Sequence, residues 1–376
     1  MTLLVSYIII VLLNLKFQKS RILYAIDFFF MWLLMGWSYN VADYPTYLLR
    51  YTHPEIYGTL EPLYVILQNG GNLLGLDYNT FLACMAFVFL LIRYILVKLM
   101  SMRPNYVVGL YLLFPFVMDI TQIRMFYATT IVLLGIFVLV KNYKCSDILY
   151  AFIVVLATMI HAACIVYLLV LFAKHVKDFN TSNYLKGCIL ACVVFYILLP
   201  TNILYDSLAY ISGIFGFETK FIETVFATGQ AYKFTHKITY MLEIMLFFCV
   251  MNLIFRRAIR SQSAICDTEK IESIRKYKDL EMLYFCTKVN CSLLIILPLA
   301  WFSGDIYRIQ HGIVMFFYIV ISNLDNFRSA KRGKIKINQL FLSGFIVVFM
   351  LLFLIGEPSL RENVFLPVFF ENGLFR

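Results

Sequence analysis

Two short polar clusters stand out in a chain that is otherwise apolar. Asp119, Gln122 and Arg124 fall together in DITQIR, and Asp305 and Arg308 fall together in SGDIYR. Each arginine sits at the mouth of an apolar run. A guanidinium is planar, permanently charged and forked, which suits a phosphate or diphosphate group. The plainer alternatives are an interfacial arginine snorkelling to headgroups at 124 and an Asp305 salt bridge at 308. His161 lies between two apolar half-runs in TMIHAAC. Its imidazole, with a pKa near 6.5, could accept a proton from a hydroxyl. It could equally be a satisfied core side chain. Asp43 and Tyr47 share the ADYPTY segment, and Glu61 heads EPLY. Asp43 could bind a hydroxyl or an arginine, or remain a solvated loop acid. Glu61, just before Pro62, could simply favour a helix N-terminus.

Those residues are positioned by elements that can be read from hydropathy and charge. The 376 residues are 62% hydrophobic and 14% charged, with a mean hydropathy of +0.81. Soluble domains carry roughly 25% charge. Apolar runs recur along the whole length, and no polar stretch is long enough to bury its own core. The expected fold is therefore an all-α polytopic membrane protein, one integral domain over 1–376. Candidate spans are 2–15, 22–38, 80–98, 105–118, 125–140, 147–160, 162–174, 184–200, 238–255, 282–301, 306–323 and 338–355. That makes about twelve transmembrane helices, several of them short.

Charge decides whether 147–173 is one span or two. With a break at His161, 22 of the 32 Lys and Arg fall in inner loops and 8 in outer segments, with Arg93 and Lys288 inside spans. Without the break, everything after residue 174 inverts and the majority reverses. The positive-inside rule selects the break, with both termini outside. The outer loops are then 39–79 and 201–237, the main cytoplasmic loop is 256–279, and 356–376 is an outer tail. Lys16, Lys19 and Arg21 follow the first span, as in an uncleaved reverse signal anchor. The net charge of +10 orients the protein in this way and is no nucleic-acid footprint. None of the nine cysteines falls in an expected outer loop, so no disulfide framework is implied.

This topology gathers Asp43, Tyr47, Glu61, Asp119, Gln122, Arg124, His161, Asp305 and Arg308 on the outer side, as a wet cavity opening outward would need. Segment 61–76, with Gln68, Asn69, Asn72 and its glycines, suits a re-entrant or interfacial element. Loop 201–237 is rich in aromatics, which could pack on sugar rings or form an interface belt. Asp27, Lys288 and Asn290 are expected to pair within the bundle. There is no Walker A loop, GxGxxG, HExxH, GxSxG or DxD.

The ordered set of short motifs resembles the EpsG/Wzy-type bacterial polysaccharide repeat-unit polymerases. It comprises Asp43 with Tyr47, the Glu-led EPLY, the Ile-Arg of QIRMFYA, the histidine of HAAC, and the late arginine of DIYRIQ. Two places depart from the family pattern. The stretch before the aspartate reads GWSYNVAD, and Arg124 is followed by Met125 where glutamine is usual. The resemblance implies processive, metal-independent glycosyl transfer without a cofactor, at the outer face of the bacterial cytoplasmic membrane. Undecaprenyl-pyrophosphate-linked oligosaccharides would be donor and acceptor, and the product a capsular, exo- or O-antigen polysaccharide. Membrane lipids, a chain-length regulator and a flippase would be its partners. Arg124 and Arg308 would hold the donor pyrophosphate, and His161 or Asp43 would deprotonate the acceptor. Gln122, Asp119, Tyr47, Glu61 and Asp305 would line the site. A lipid-linked-sugar flippase and an envelope ligase or acyltransferase are the rival readings. The flippase should show mid-membrane polar groups and an inverted repeat, neither of which is evident.

Overall fold

The computed structural model describes residues 2–57, 61–176, 181–198, 206, 210, 234–266, 273–302, 307–324, 341–350 and 360–375. Among these residues there are helices and turns and no strand. The chain forms two compact units, one of residues 1–165 with 312–376 and one of residues 166–311.

The first unit begins with α1 (Thr2–Lys16) and α2 (Arg21–Gly36). Ser20 starts α2 by accepting the Leu23 N–H at 3.2 Å, which satisfies one of the donors left open at a helix start. Three short helices follow, α3 (Tyr44–Thr52), α4 (Pro54–Tyr57) and α5 (Pro62–Leu73). Proline in the first turn of each of them costs no hydrogen bond there. The 23-residue α6 (Tyr78–Met100) is capped by Asp77, whose Oδ1 accepts the Thr80 N–H at 2.8 Å. Then come α7 (Pro104–Leu113), α8 (Phe116–Thr121), α9 (Ile123–Lys141) and α10 (Ser146–Thr158). Asn142 ends α9 in the left-handed region at φ 53°, a conformation asparagine tolerates better than most residues.

Packing in this unit runs α1 on α7, α2 on α6, and α9 between α6 and α10. Gly135 sets the approach of α9 to α10. A Cβ there would lie 3.1 Å from Ile153 and from the Tyr150 ring, and small residues are what let membrane helices come this close. Gly71 does the same for α5, where a Cβ would lie 2.6 Å from the Phe81 ring and 2.7 Å from Tyr51 Oη. The C-terminal residues, including α17 (Phe341–Met350) and α18 (Leu366–Phe370), belong to this unit. Gly373 N–H donates to the Trp37 carbonyl at 2.8 Å and Ala42 N–H to the Asn363 carbonyl at 3.1 Å. The tail and the start of the first expected outer loop therefore share one end of the unit.

A buried polar hub joins α6 to α7, α8 and α9. Arg93 Nη1 pairs with Asp119 Oδ2 at 2.9 Å and donates to Tyr111 Oη at 2.8 Å. Its Nε reaches Thr130 Oγ1 at 3.1 Å, and its Nη2 reaches Thr129 Oγ1 at 2.9 Å and the Phe126 carbonyl at 3.3 Å. All three guanidinium nitrogens are thus engaged, as a charge away from water requires.

The second unit holds α11 (Leu168–His175), α12 (Thr181–Leu198), α13 (Phe234–Cys266), α14 (Ser273–Ser292), α15 (Ile296–Phe302) and the start of α16 (Arg308–Asn323). α14 packs on α11, α12 and α13. Its polar groups pair internally. Lys288 Nζ donates to the Val176 carbonyl at 3.0 Å, Asn290 Nδ2 to the Phe248 carbonyl at 3.1 Å, and His311 Nε2 lies 2.7 Å from Glu243 Oε1. In the first unit Asn14 Nδ2 likewise donates to Asp27 Oδ1 at 2.8 Å.

Among the described residues, four helices are long and apolar enough to cross a membrane: Tyr78–Met100, Ile123–Lys141, Lys237–Arg260 and Leu280–Ala300. The shorter apolar helices run 10–17 residues, against roughly 20 needed for a full hydrocarbon core. Helix length thus supports a helical membrane protein but not the figure of about twelve spans. The clearest correction is at 105–118. There α7 stops at Leu113 and α8 starts at Phe116, so ten helical residues cover only about 15 Å. The break at His161 is present, because α10 ends at Thr158 and a 3₁₀ segment, Ala162–Tyr167, follows. Segment 61–76 is the twelve-residue α5. Most of loop 201–237, including all its aromatics except Tyr210 and Phe234, lies outside the described residues.

Candidate functional site

Four sequence positions far apart in the chain meet in the first unit: Tyr47 on α3, Glu61 at the head of α5, Arg124 in the first turn of α9, and the turn at His161. Arg124 is placed by the start of α9, which leaves its guanidinium at the helix end. Arg124 Nε donates to Tyr47 Oη at 3.1 Å. Nη1 donates to Glu61 Oε2 in a direct ion pair. The same guanidinium lies over the rings of Tyr47 and Tyr64, 5.3 and 5.7 Å from their centroids. Its side chain is only 15% exposed, so it is held in the protein and does not snorkel outward.

Glu61 carries the other half of the arrangement. It occupies the cap position of α5 but makes no side-chain capping bond. The helix-terminal role expected for it gives way to a bridge: Oε2 takes Arg124, and Oε1 accepts the Ala162 N–H at 3.1 Å. The carboxylate therefore ties the guanidinium to the peptide that follows His161. Leu63 N–H adds a bond to the Met159 carbonyl at 2.9 Å, so α5 and the turn after α10 are joined at two points. His161 is half-buried in that turn, its own N–H on the Ala157 carbonyl at 3.0 Å.

The remaining expected residues are distributed as follows. Asp43 is the half-buried residue before α3, and its carbonyl accepts the Tyr47 N–H at 3.1 Å. Gln122 is buried at the junction of α8 and α9. Asp119 is committed to the Arg93 hub and accepts a hydrogen bond from Tyr111 Oη at 2.5 Å. Arg308 belongs to the second unit, where it begins α16 with its guanidinium 6.0 Å from the Tyr307 ring centroid. Asp305 lies outside the described residues. Sequence reasoning does not single out Arg93 as a site residue, although an arginine inside a span is itself a signal. Among the described residues no group of three or more His, Cys, Asp or Glu side chains could hold a metal ion.

What this arrangement can do follows from donor arithmetic. A guanidinium has five N–H donors in a fixed fork. Tyr47 and Glu61 take two, leaving three for an anion while the fork itself is locked in place. That is preorganised electrophilic help for a group on which negative charge develops. The chain matches the EpsG family model over residues 21–365. It belongs to the EpsG family. EpsG is a Wzy-type polysaccharide polymerase family, and the matched region contains the whole Tyr47, Glu61, Arg124 and His161 constellation. No curated protein and no solved structure matches the chain. For an EpsG protein, the Glu61–Arg124 strap gives the otherwise unspecific EPLY and QIR motifs a shared physical purpose: each holds the other.

Proposed function

We propose that this EpsG-family protein polymerises lipid-linked oligosaccharide repeat units at the outer face of a bacterial cytoplasmic membrane. The donor is an undecaprenyl-pyrophosphate-linked glycan, and a second lipid-linked glycan is the acceptor. The acceptor hydroxyl attacks the anomeric carbon of the donor's reducing-end sugar. The bond from that carbon to the diphosphate oxygen breaks, and the lipid diphosphate leaves with the electron pair. Arg124 stabilises the charge appearing on the diphosphate, while His161 or Asp43 takes the hydroxyl proton. Gln122 and Tyr47 line the site. Glu61 fixes Arg124, whereas Asp119 holds the Arg93 hub. In the orientation that loop charge selects, these residues lie on the side where translocated units arrive. The natural partners are a flippase that supplies the units and a regulator that sets chain length.

The observation that carries this reading is the Glu61–Arg124–Tyr47 constellation beside the His161 turn, in a chain of this family. Glycan analysis of a deletion strain tests it. A strain lacking the protein should carry single repeat units on lipid or at the surface. Accumulation of full-length lipid-linked polymer would instead mark a ligase, and units trapped inside would mark a flippase.

A further inference from the structure

We propose that Arg50 is a second arginine of the diphosphate site, completing with Arg124 a clamp for the two phosphoryl groups of a lipid diphosphate. This rests on the polymerase reading of Arg124. Arg50 lies on α3 three residues after Tyr47, so the two side chains leave the helix on one face, one turn apart. Tyr47 is the acceptor of the Arg124 Nε–H. The Tyr64 phenol lies within electrostatic reach of both Arg124 and Arg50, and the Arg124 guanidinium sits over its ring. Both cations therefore act on one aromatic side chain.

The bonding of Arg50 points the same way. Its Nε–H is buried and has no hydrogen-bond partner, whereas the residue as a whole is only half-buried. A buried donor left unmade is costly, more so when charged, and an anion would satisfy it. Charge supplies the second argument. Glu61 already neutralises Arg124. A diphosphate that bridges lipid and sugar carries two negative charges, so one neutralised arginine is a poor match for it. Arg50 adds the missing cation on the neighbouring turn. A bilayer phosphate headgroup offers similar chemistry but only one phosphoryl group, and that difference separates the two ligands.

The test uses the purified full chain in an uncharged detergent, with farnesyl diphosphate and farnesyl monophosphate as probes. The wild type should prefer the diphosphate. Arg50→Gln should lower diphosphate affinity by about tenfold while changing monophosphate affinity little, because a charge-assisted bond to the second phosphoryl is lost. Arg50→Lys, which keeps the charge without the fork, should recover part of the loss. Arg50→Met keeps the aliphatic stem and is read in place of Arg50→Gln if the latter does not fold. Diphosphate binding at wild-type strength in Arg50→Gln, with binding lost in Arg124→Gln, overturns the inference and leaves Arg124 standing. Equal wild-type affinity for the two probes overturns both.

Discussion

Arg124→Gln is expected to reduce polymer formation by about 10²–10³-fold, the loss seen when one preorganised donor is removed from a developing oxyanion. Glutamine keeps a polar, similarly sized side chain but no charge. Three guanidinium N–H groups remain for a ligand once Tyr47 and Glu61 are served, and the substitution removes all of them. It also leaves Glu61, only 12% exposed, without its cation. Some loss of fold stability is therefore expected alongside the loss of function. Arg124→Gln with Glu61→Gln separates the two effects. The double variant should regain wild-type expression and melting temperature but still yield only short glycans on a carbohydrate-stained gel. Long polymer from the double variant would remove Arg124 from the chemistry. Glu61→Gln alone should act more mildly, because Arg124 keeps its charge and its Tyr47 bond but loses the strap that aims it.

Arg93→Met should destabilise the protein more than any substitution at the site, by about 3–5 kcal/mol, the range for breaking a buried ion pair from one side. Arg93 is 4% and Asp119 6% exposed. Removing the guanidinium leaves the buried Asp119 carboxylate without its cation and takes away the donor that the hydroxyl oxygens of Tyr111, Thr129 and Thr130 accept from. Four helices meet at this hub, so the loss is felt by α6, α7, α8 and α9 together. Arg93→Met with Asp119→Leu should recover much of the loss, because apolar replacement of both partners is often close to neutral. Denaturation midpoints of the wild type and both variants in one detergent check this. An Arg93→Met midpoint equal to the wild type would show that the hub contributes nothing to stability.

Much of the site is legible in the amino-acid sequence, and the reasons for the remainder are specific. The convergence of Tyr47, Glu61, Arg124 and the His161 turn follows from assigning each to one face by loop charge, and charge counting also locates the break at His161. Pairing is harder to read than location. Glu61 and Arg124 are 63 residues apart, and a carboxylate before proline carries a ready local explanation as a helix-terminal acid. Hydropathy cannot weigh that against a distant cation. Asp119 illustrates the opposite error. Its nearness in sequence to Arg124 groups the two, yet in space its partner is Arg93, which the sequence shows only as a charge within a span. α9 begins at Ile123, which turns Arg124 to a different neighbourhood from Asp119 on α8. Span counting fails for a third reason. Apolar runs report burial, and a run such as 105–118 is buried whether or not its helix is continuous. The stop at Leu113, with Phe114 extended before Pro115, is a backbone event that composition does not encode.

Reconstitution offers the most direct trial of the central idea. Purified protein in liposomes would receive a lipid-diphosphate-linked repeat unit as the sole sugar source, with chain length followed by mass spectrometry. A ladder of products, each longer by one whole unit and accompanied by release of lipid diphosphate, is the outcome expected of the wild type, with single units persisting for Arg124→Gln. Folded wild-type protein that leaves every glycan at one unit, or Arg124→Gln that builds the same ladder, would contradict it.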